Sequence, residues 1–207
     1  EDDVSDVFDL AGASSLPQNS LDLDSERGPA NFDVRHRFAY NFIYSLPTFN
    51  DRSRAYRTLL GGLQIAGLGS FQTGQPFTVN SIFDVNLDGN LTDRLDSTTG
   101  ITRTGDRRQP LQLTGDPVGL LAPVGQDGDV GRNSFRAGNF LELDFAVIKN
   151  FRFTESQNFI FRMDVFNATN RANFGIPVRY IEAPSFGQAT NTVTPGRRVQ
   201  FALKYSF

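Results

Sequence analysis

The chain has 207 residues, of which 21% are charged and 12% aromatic, with 20 Phe, no Trp and no Cys. The net charge of −3 at pH 7 and the absence of a basic stripe argue against nucleic acid as a partner. The lack of Cys excludes disulfides and thiolate chemistry. The sequence contains no run of about 18 apolar residues, so it predicts no transmembrane helix.

Five segments alternate between apolar and polar residues with a period of two, which predicts strands with one apolar face. In chain order, the predicted strands are 33–46, 61–78, 140–151, 157–168 and 197–207. In the clearest of them, the last, apolar side chains occupy alternate positions: Val199, Phe201, Leu203, Tyr205 and Phe207. No segment has a helical period. Antiparallel strands in sequential order are expected from the short turn at 152–156 and the alternating loop lengths.

The predicted connections alternate between short and long. Residues 152–156 form a tight turn, whereas 80–139 and 169–196 are long polar loops, and 1–32 reads as another. Short and long loops that join strands of about 11 residues are the layout of an outer-membrane barrel. Such a strand, tilted near 45°, spans roughly 26 Å, close to the apolar band of ~25 Å that these barrels need. The predicted fold class is all-β: an antiparallel up-and-down transmembrane β-barrel segment with long extracellular loops.

Five strands are too few to close a barrel, so the chain is expected to be the C-terminal portion of a larger one. Residues 1–32 would then be an extracellular loop, and residues 33–207 the last five strands with their loops. Period-two strands also occur in soluble β-sandwiches, where the apolar rows face a core. A soluble or surface-anchored β-sandwich binding or adhesin module therefore remains the alternative.

A set of motifs, in order along the chain, resembles the Oar-like (carboxypeptidase-regulatory-like) TonB-dependent receptors of the bacterial outer membrane. The matching stretches are 32–38 (FDVRHRF), 61–64 (GGLQ), 72–78 (QTGQPFT), 131–133 (GRN), 166–170 (FNATN), 172–175 (ANFG) and 198–207 (RVQFALKYSF). The resemblance implies import of an unknown ligand across the outer membrane. It implies as partners outer-membrane lipid and the TonB complex, the latter through an N-terminal region that lies outside this chain.

The last strand resembles the signal that the barrel-assembly machinery reads, with apolar residues at alternate positions before a terminal aromatic. Phe201, Leu203, Tyr205 and Phe207 fit this pattern. The resemblance therefore implies the assembly machinery as a further partner.

One loop has the spacing of a calcium loop, with oxygen-bearing side chains at alternate positions before a Gly. The candidate calcium ligands are Asp84, Asn86, Asp88, Asn90 and Asp93, with Asp96 as the alternative to Asp93 for the closing carboxylate. Calcium is the one cofactor that the sequence suggests.

Enzymatic activity is not expected. The chain has one His and no Cys, and it contains no nucleophile elbow, P-loop or dinucleotide-binding glycine pattern. The acidic residues of the predicted strands are expected to form ion pairs with Arg162 and Arg198 on neighbouring strands. These acidic residues are Glu142, Asp144 and Asp164.

Overall fold

The computed structural model describes residues 16–207, which fall into two compact units. The sheet unit comprises residues 37–72, 140–172 and 194–207. The loop unit comprises, within the described residues, 16–36, 73–139 and 173–193. The first 15 residues of the predicted loop 1–32 lie outside the described part.

Residues 16–207 contain nine strands, numbered here in chain order. They are β1 (Arg37–Ser45), β2 (Gln64–Gln72), β3 (Pro76–Phe77), β4 (Ile101–Arg103), β5 (Leu111–Leu113), β6 (Phe135–Arg136), β7 (Phe140–Arg152), β8 (Asn158–Phe166) and β9 (Arg198–Ser206). The helices are α1 (Arg54–Leu60) and two short 3₁₀ helices, Leu23–Glu26 and Pro117–Leu120. Among the described residues, no helix has the length and apolar character needed to cross a membrane.

The sheet unit is built on one five-stranded antiparallel sheet with the strand order β1-β2-β7-β8-β9. These strands fall within the five predicted ranges, except that β7 extends one residue beyond 151, and they lie in sequential order, as expected from the short turn and the alternating loop lengths. Within the described residues, β1 and β9 each pair on one side only, so the sheet is open at both edges.

The predicted strand at 61–78 is in fact two strands. The backbone N–H of Thr73 donates to the carbonyl of His36 at 3.0 Å, and the N–H of Gly74 donates to the Asn139 side chain at 3.2 Å. A Cβ on Gly74 would lie 1.8 Å from the carbonyl oxygen of Ala137, so the close passage of the chain requires Gly there. Beyond it, β3 pairs with β6 in the loop unit.

The expectation that no segment is helical is wrong for 54–60, where α1 forms. The Ser53 side chain caps this helix by accepting a hydrogen bond from the N–H of Tyr56 at 3.4 Å. Seven residues make only about two turns, too few for a helical period to stand out in the sequence.

The loop unit has a hydrophobic core of its own, although its segments were predicted only as long polar loops. The core side chains come from every part of the unit after residue 73 and are Phe77, Val79, Leu95, Leu111, Leu120, Phe135, Ile181 and Phe186. A hairpin of β4 and β5 and a bridge between Asn80 and Tyr180 add backbone pairing. The apolar residues that build this core are widely spaced along the chain and follow no regular period, so the sequence pattern does not mark them.

A buried ion pair holds residues 16–27 to this unit. Arg94 donates to the Glu26 carboxylate, and the two side chains are only 5% and 3% exposed. The side chain of Gln18 accepts from the N–H of Arg94 at 2.6 Å and donates to the carbonyl of Gly128 at 3.3 Å. The described part of the predicted loop 1–32 is therefore anchored to the loop unit by the buried side chains of Gln18 and Glu26, whereas residues 20–25 between them are exposed.

Candidate functional sites: the sheet faces and the oxygen-rich loop

The register of the sheet gathers the five apolar rows predicted from the sequence onto one face. Phe42 of β1 lies opposite Gly67, which lies opposite Phe145, then Val165, then Val199. Because side chains alternate along each strand, every second residue from this row lies on the same face. We call this the apolar face.

The apolar face is not covered within the part of the chain that the structure describes. Phe38 and Phe201 are each 63% exposed, and Leu203 is 67% exposed. A soluble β-sandwich would bury such side chains between two sheets. Large exposed apolar surfaces mark interaction with a protein or a membrane. The exposure therefore counts against the sandwich alternative.

Two glycines of β2 allow aromatic rings of β1 to lie flat on the apolar face. A Cβ on Gly67 would come within 2.3 Å of the Phe42 ring, and one on Gly69 within 2.4 Å of the Tyr40 ring. This close approach explains why β2 is rich in glycine and why its alternation is weak in the sequence.

The opposite face of the sheet carries the charged residues, and their pairing differs from the prediction. Arg162 forms a two-pronged ion pair with Asp164 of its own strand, at 2.8 and 3.0 Å. The cross-strand neighbours of Arg162 are Ile148 and Ala202, which carry no charge. The prediction of an ion pair between strands is therefore wrong for Arg162.

Arg198 and Asp144 also find other partners. The cross-strand neighbour of Arg198 is Phe166, and the guanidinium lies 5.7 Å from the centre of that ring. The Asp144 carboxylate accepts a hydrogen bond from the N–H of Asn167 at 2.8 Å, which fixes the end of β8. Two predicted charge pairs are thus replaced by a cation–π contact and a strand cap.

The residues of the predicted assembly signal lie together at an edge of the sheet. Phe201, Leu203 and Tyr205 project from β9 on the apolar face, and Phe207 follows the strand with 92% exposure. The rings of Tyr205 and Phe207 stack with centres 5.7 Å apart. The arrangement presents an apolar row on an edge strand, and recognition by the assembly machinery remains a prediction.

Lys149 is a feature of the apolar face that the sequence reasoning missed. It follows Val147 in the apolar row of β7, yet its ammonium group is buried, donates to the carbonyl of Gly61 and lies 5.3 Å from the centre of the Phe151 ring. Alternation along the predicted strand 140–151 places Lys149 on the same side as Phe145 and Val147, so the sequence does contain the signal for a cation on this face. The apolar face thus contains one lysine, near the end of the sheet that carries α1.

The oxygen-rich loop folds on itself through its own side chains. The Asp84 carboxylate accepts from the N–H groups of Asp88 and Gly89 at 3.1 and 2.9 Å. Asp88 in turn accepts from the N–H and the side chain of Asn90 at 2.8 and 3.0 Å. These bonds hold the candidate ligands in a compact turn.

Asp93 lies against the same loop. Its Oδ2 accepts from the N–H of Val85 at 3.0 Å, whereas its buried Oδ1 has no hydrogen-bond partner. Burial raises the pKa of Asp93 above its ordinary 3.8, and the nearby charges of Asp84 and Asp88 act in the same direction. Asp96, the other predicted closing residue, is exposed.

The Asn86 side chain bonds both inside and outside the loop, since its Oδ1 accepts from the N–H of Asp88 at 3.1 Å. Its amide donates to Asp127 at 2.8 Å and to the carbonyl of Gln18 at 3.1 Å. The hydrogen bond from Asn86 to Asp127 and another from Asn19 hold the pKa of Asp127 below its ordinary value. Among residues 16–207, no three carboxylate or imidazole groups lie close enough together to hold a metal ion. Calcium binding remains a prediction, with Asp93 rather than Asp96 as the closing carboxylate.

An up-and-down antiparallel sheet with one exposed apolar face and one charged face is the arrangement found in outer-membrane β-barrel proteins. Comparison with protein families agrees: the model described as "Outer membrane beta barrel domain" matches residues 2–200. The chain belongs to this family, and the protein is located in the bacterial outer membrane. No curated protein and no solved structure matches the chain.

Proposed function

We propose that the chain is the C-terminal part of the transmembrane barrel of an Oar-like TonB-dependent receptor, which imports an unidentified ligand. The observation that carries the proposal is the five-stranded sheet with an exposed apolar face and an amphipathic last strand at its edge. Open edges are not stable in lipid, so further strands of the full-length protein would pair with β1 and β9. The apolar face would then contact lipid, and the charged face would line the lumen.

The direction of the barrel follows from the ends of the strands. Both long segments, 73–139 and 167–197, leave the sheet from the end that contains Gln72, Phe140 and Phe166. Outer-membrane barrels have long extracellular loops and short periplasmic turns. In this proposal the connecting segments 73–139 and 167–197 are extracellular, and the end of the sheet with α1 and the 153–157 turn is periplasmic.

The motifs that resemble the receptor family have structural roles in this chain. Asn133 adopts a φ of 56°, and its amide donates to Pro29 and Asn31, both at 2.7 Å. Asn167 adopts a φ of 48° and donates to the carbonyl of Pro195 at 3.0 Å. Left-handed positions of this kind favour Asn, so the two asparagines suit the backbone turns that these motifs form. The resemblance therefore supports the barrel and its loops, and it leaves the ligand open.

The receptor proposal is tested with the full-length gene product and the periplasmic domain of TonB from the same bacterium. We expect calorimetry to show binding that is lost when the N-terminal energy-coupling segment is deleted. A full-length product that forms a barrel but does not bind TonB would contradict the receptor role without contradicting the barrel assignment. The proposal assigns no catalytic step to this chain.

A further inference from the structure

We propose that the α1 end of the sheet is a binding surface for anionic phospholipid, formed by a short interfacial helix and a group of unpaired cations. The inference rests on the proposed function, because it requires the apolar face to lie in a membrane. It concerns residues 46–63 and 149–158, which we call the basic rim.

The basic rim is positively charged in a chain that is negative overall. It contains two acidic residues, Asp51 and Glu155, against five basic ones, Arg52, Arg54, Arg57, Lys149 and Arg152. The whole chain has a net charge of −3. The rim therefore concentrates positive charge at one end of the sheet.

The arginines of the rim are available to a ligand. Arg52, Arg54, Arg57 and Arg152 are exposed, and none forms an ion pair with a carboxylate of the described residues. Lys149 is bound by a backbone carbonyl and an aromatic ring, so its positive charge is likewise not neutralised by an acidic side chain. Anionic phosphate is the group that complements such a cluster.

Helix α1 is amphipathic although it has only seven residues. At 100° per residue, Arg54, Arg57 and Thr58 fall on one side, and Ala55, Tyr56, Leu59 and Leu60 on the other. The apolar side is not covered within residues 16–207: Leu59 is 65% exposed and Tyr56 is 43% exposed. A helix with a basic side and an uncovered apolar side is suited to the boundary between headgroups and acyl chains.

The position of the helix fits the same boundary. The Gly61 carbonyl that follows α1 accepts from Lys149, a member of the apolar face. Phe153, 68% exposed in the turn after β7, adds an aromatic side chain at this end of the sheet. The lipid-facing surface thus continues into α1, and a phospholipid whose chains contact the apolar face would place its phosphate beside Arg54 and Arg57. Arg152 belongs by alternation to the charged face and adds only to the positive charge of this end of the sheet.

The test uses the full-length protein with equal amounts of phosphatidylglycerol and phosphatidylcholine, and counts the retained lipids by native mass spectrometry. We expect preferential retention of phosphatidylglycerol by the wild type. The double variant Arg54→Gln/Arg57→Gln should bind it about 30-fold more weakly, because each cation near an anionic surface contributes about fivefold. Arg54→Lys/Arg57→Lys should retain most of the affinity, since it keeps the charge.

The matched control is Arg103→Gln/Arg107→Gln, which removes two exposed arginines from the loop unit. It should leave the lipid preference unchanged. Equal retention of both lipids by a wild type that is folded in vesicles would contradict phospholipid binding by the basic rim, and it would not affect the barrel assignment. An equal loss in the control variant would contradict this binding as well. A wild type that does not insert into vesicles at all would instead overturn the proposed function.

Discussion

Replacing Leu203 by arginine tests whether the apolar face meets lipid. Leu203 is 67% exposed and lies next to Ala202, the central residue of β9, so it would sit near the middle of the bilayer. An arginine at a lipid-facing midplane position costs about 2–4 kcal/mol. That cost lowers the folding equilibrium constant about 30- to 700-fold.

The matched control introduces arginine on the opposite face of the same strand. Ala202→Arg would place the new cation opposite Arg162, which is a like charge, whereas Gln200→Arg would place it opposite Asp164. We therefore expect Gln200→Arg to be tolerated best, Ala202→Arg to be tolerated moderately, and Leu203→Arg to be strongly destabilising.

The measurement is a urea titration of the full-length protein in lipid vesicles, with the folded fraction followed by its shift in gel mobility on heating. Equal unfolding midpoints for Leu203→Arg and Gln200→Arg would refute the assignment of the two faces. Recovery of the wild type from the aqueous fraction without detergent would refute it as well.

Three further predictions concern packing, an ion pair and calcium. Gly74→Ala should cost about 1–3 kcal/mol in a urea titration because its Cβ would meet the backbone carbonyl of Ala137, and a neutral result would contradict the close passage of the chain there. Glu26→Ala leaves Arg94 buried without its carboxylate, which costs about 3–5 kcal/mol; hydrogen exchange should rise across the loop unit, and unchanged exchange would show that the pair is dispensable. The calcium hypothesis predicts that calorimetry shows binding lost in Asp93→Asn and retained in Asp96→Asn. The calcium affinity should fall as the pH is lowered through the raised pKa of Asp93, because protons then compete with calcium for the carboxylate. This fall should begin at a pH above the ordinary pKa of 3.8. The absence of binding heat at every pH would contradict the calcium hypothesis.

The sheet was predictable from the sequence because each strand has one apolar side. In β9 the alternation from Val199 to Tyr205 marks both the strand and its apolar face, and β1, β7 and β8 repeat the pattern. β2 was harder to predict because Gly67 and Gly69 stand where apolar side chains would complete the alternation. Those glycines are explained by rings on the neighbouring strand, which only the register reveals.

The loop unit and the charge pairs were not predictable in the same way. The core of the loop unit joins residues as distant as Phe77 and Phe186, and no local period records such contacts. Arg162 pairs with Asp164 because its cross-strand neighbours are uncharged, and those neighbours depend on the register. The buried Asp93 was one of two candidates in the sequence, and its burial, a tertiary property, distinguishes it from Asp96.

The most direct measurement of the central claim is a scan of nitroxide labels along β9 in the full-length protein in lipid vesicles. The chain contains no Cys, so single cysteines at positions 199–205 can be labelled without interference from this region. We predict that odd positions from 199 to 205 are accessible to oxygen dissolved in the lipid, and that even positions are accessible to a water-soluble nickel complex. Accessibility that does not alternate, or odd positions shielded from both reagents as in a sandwich core, would contradict the account.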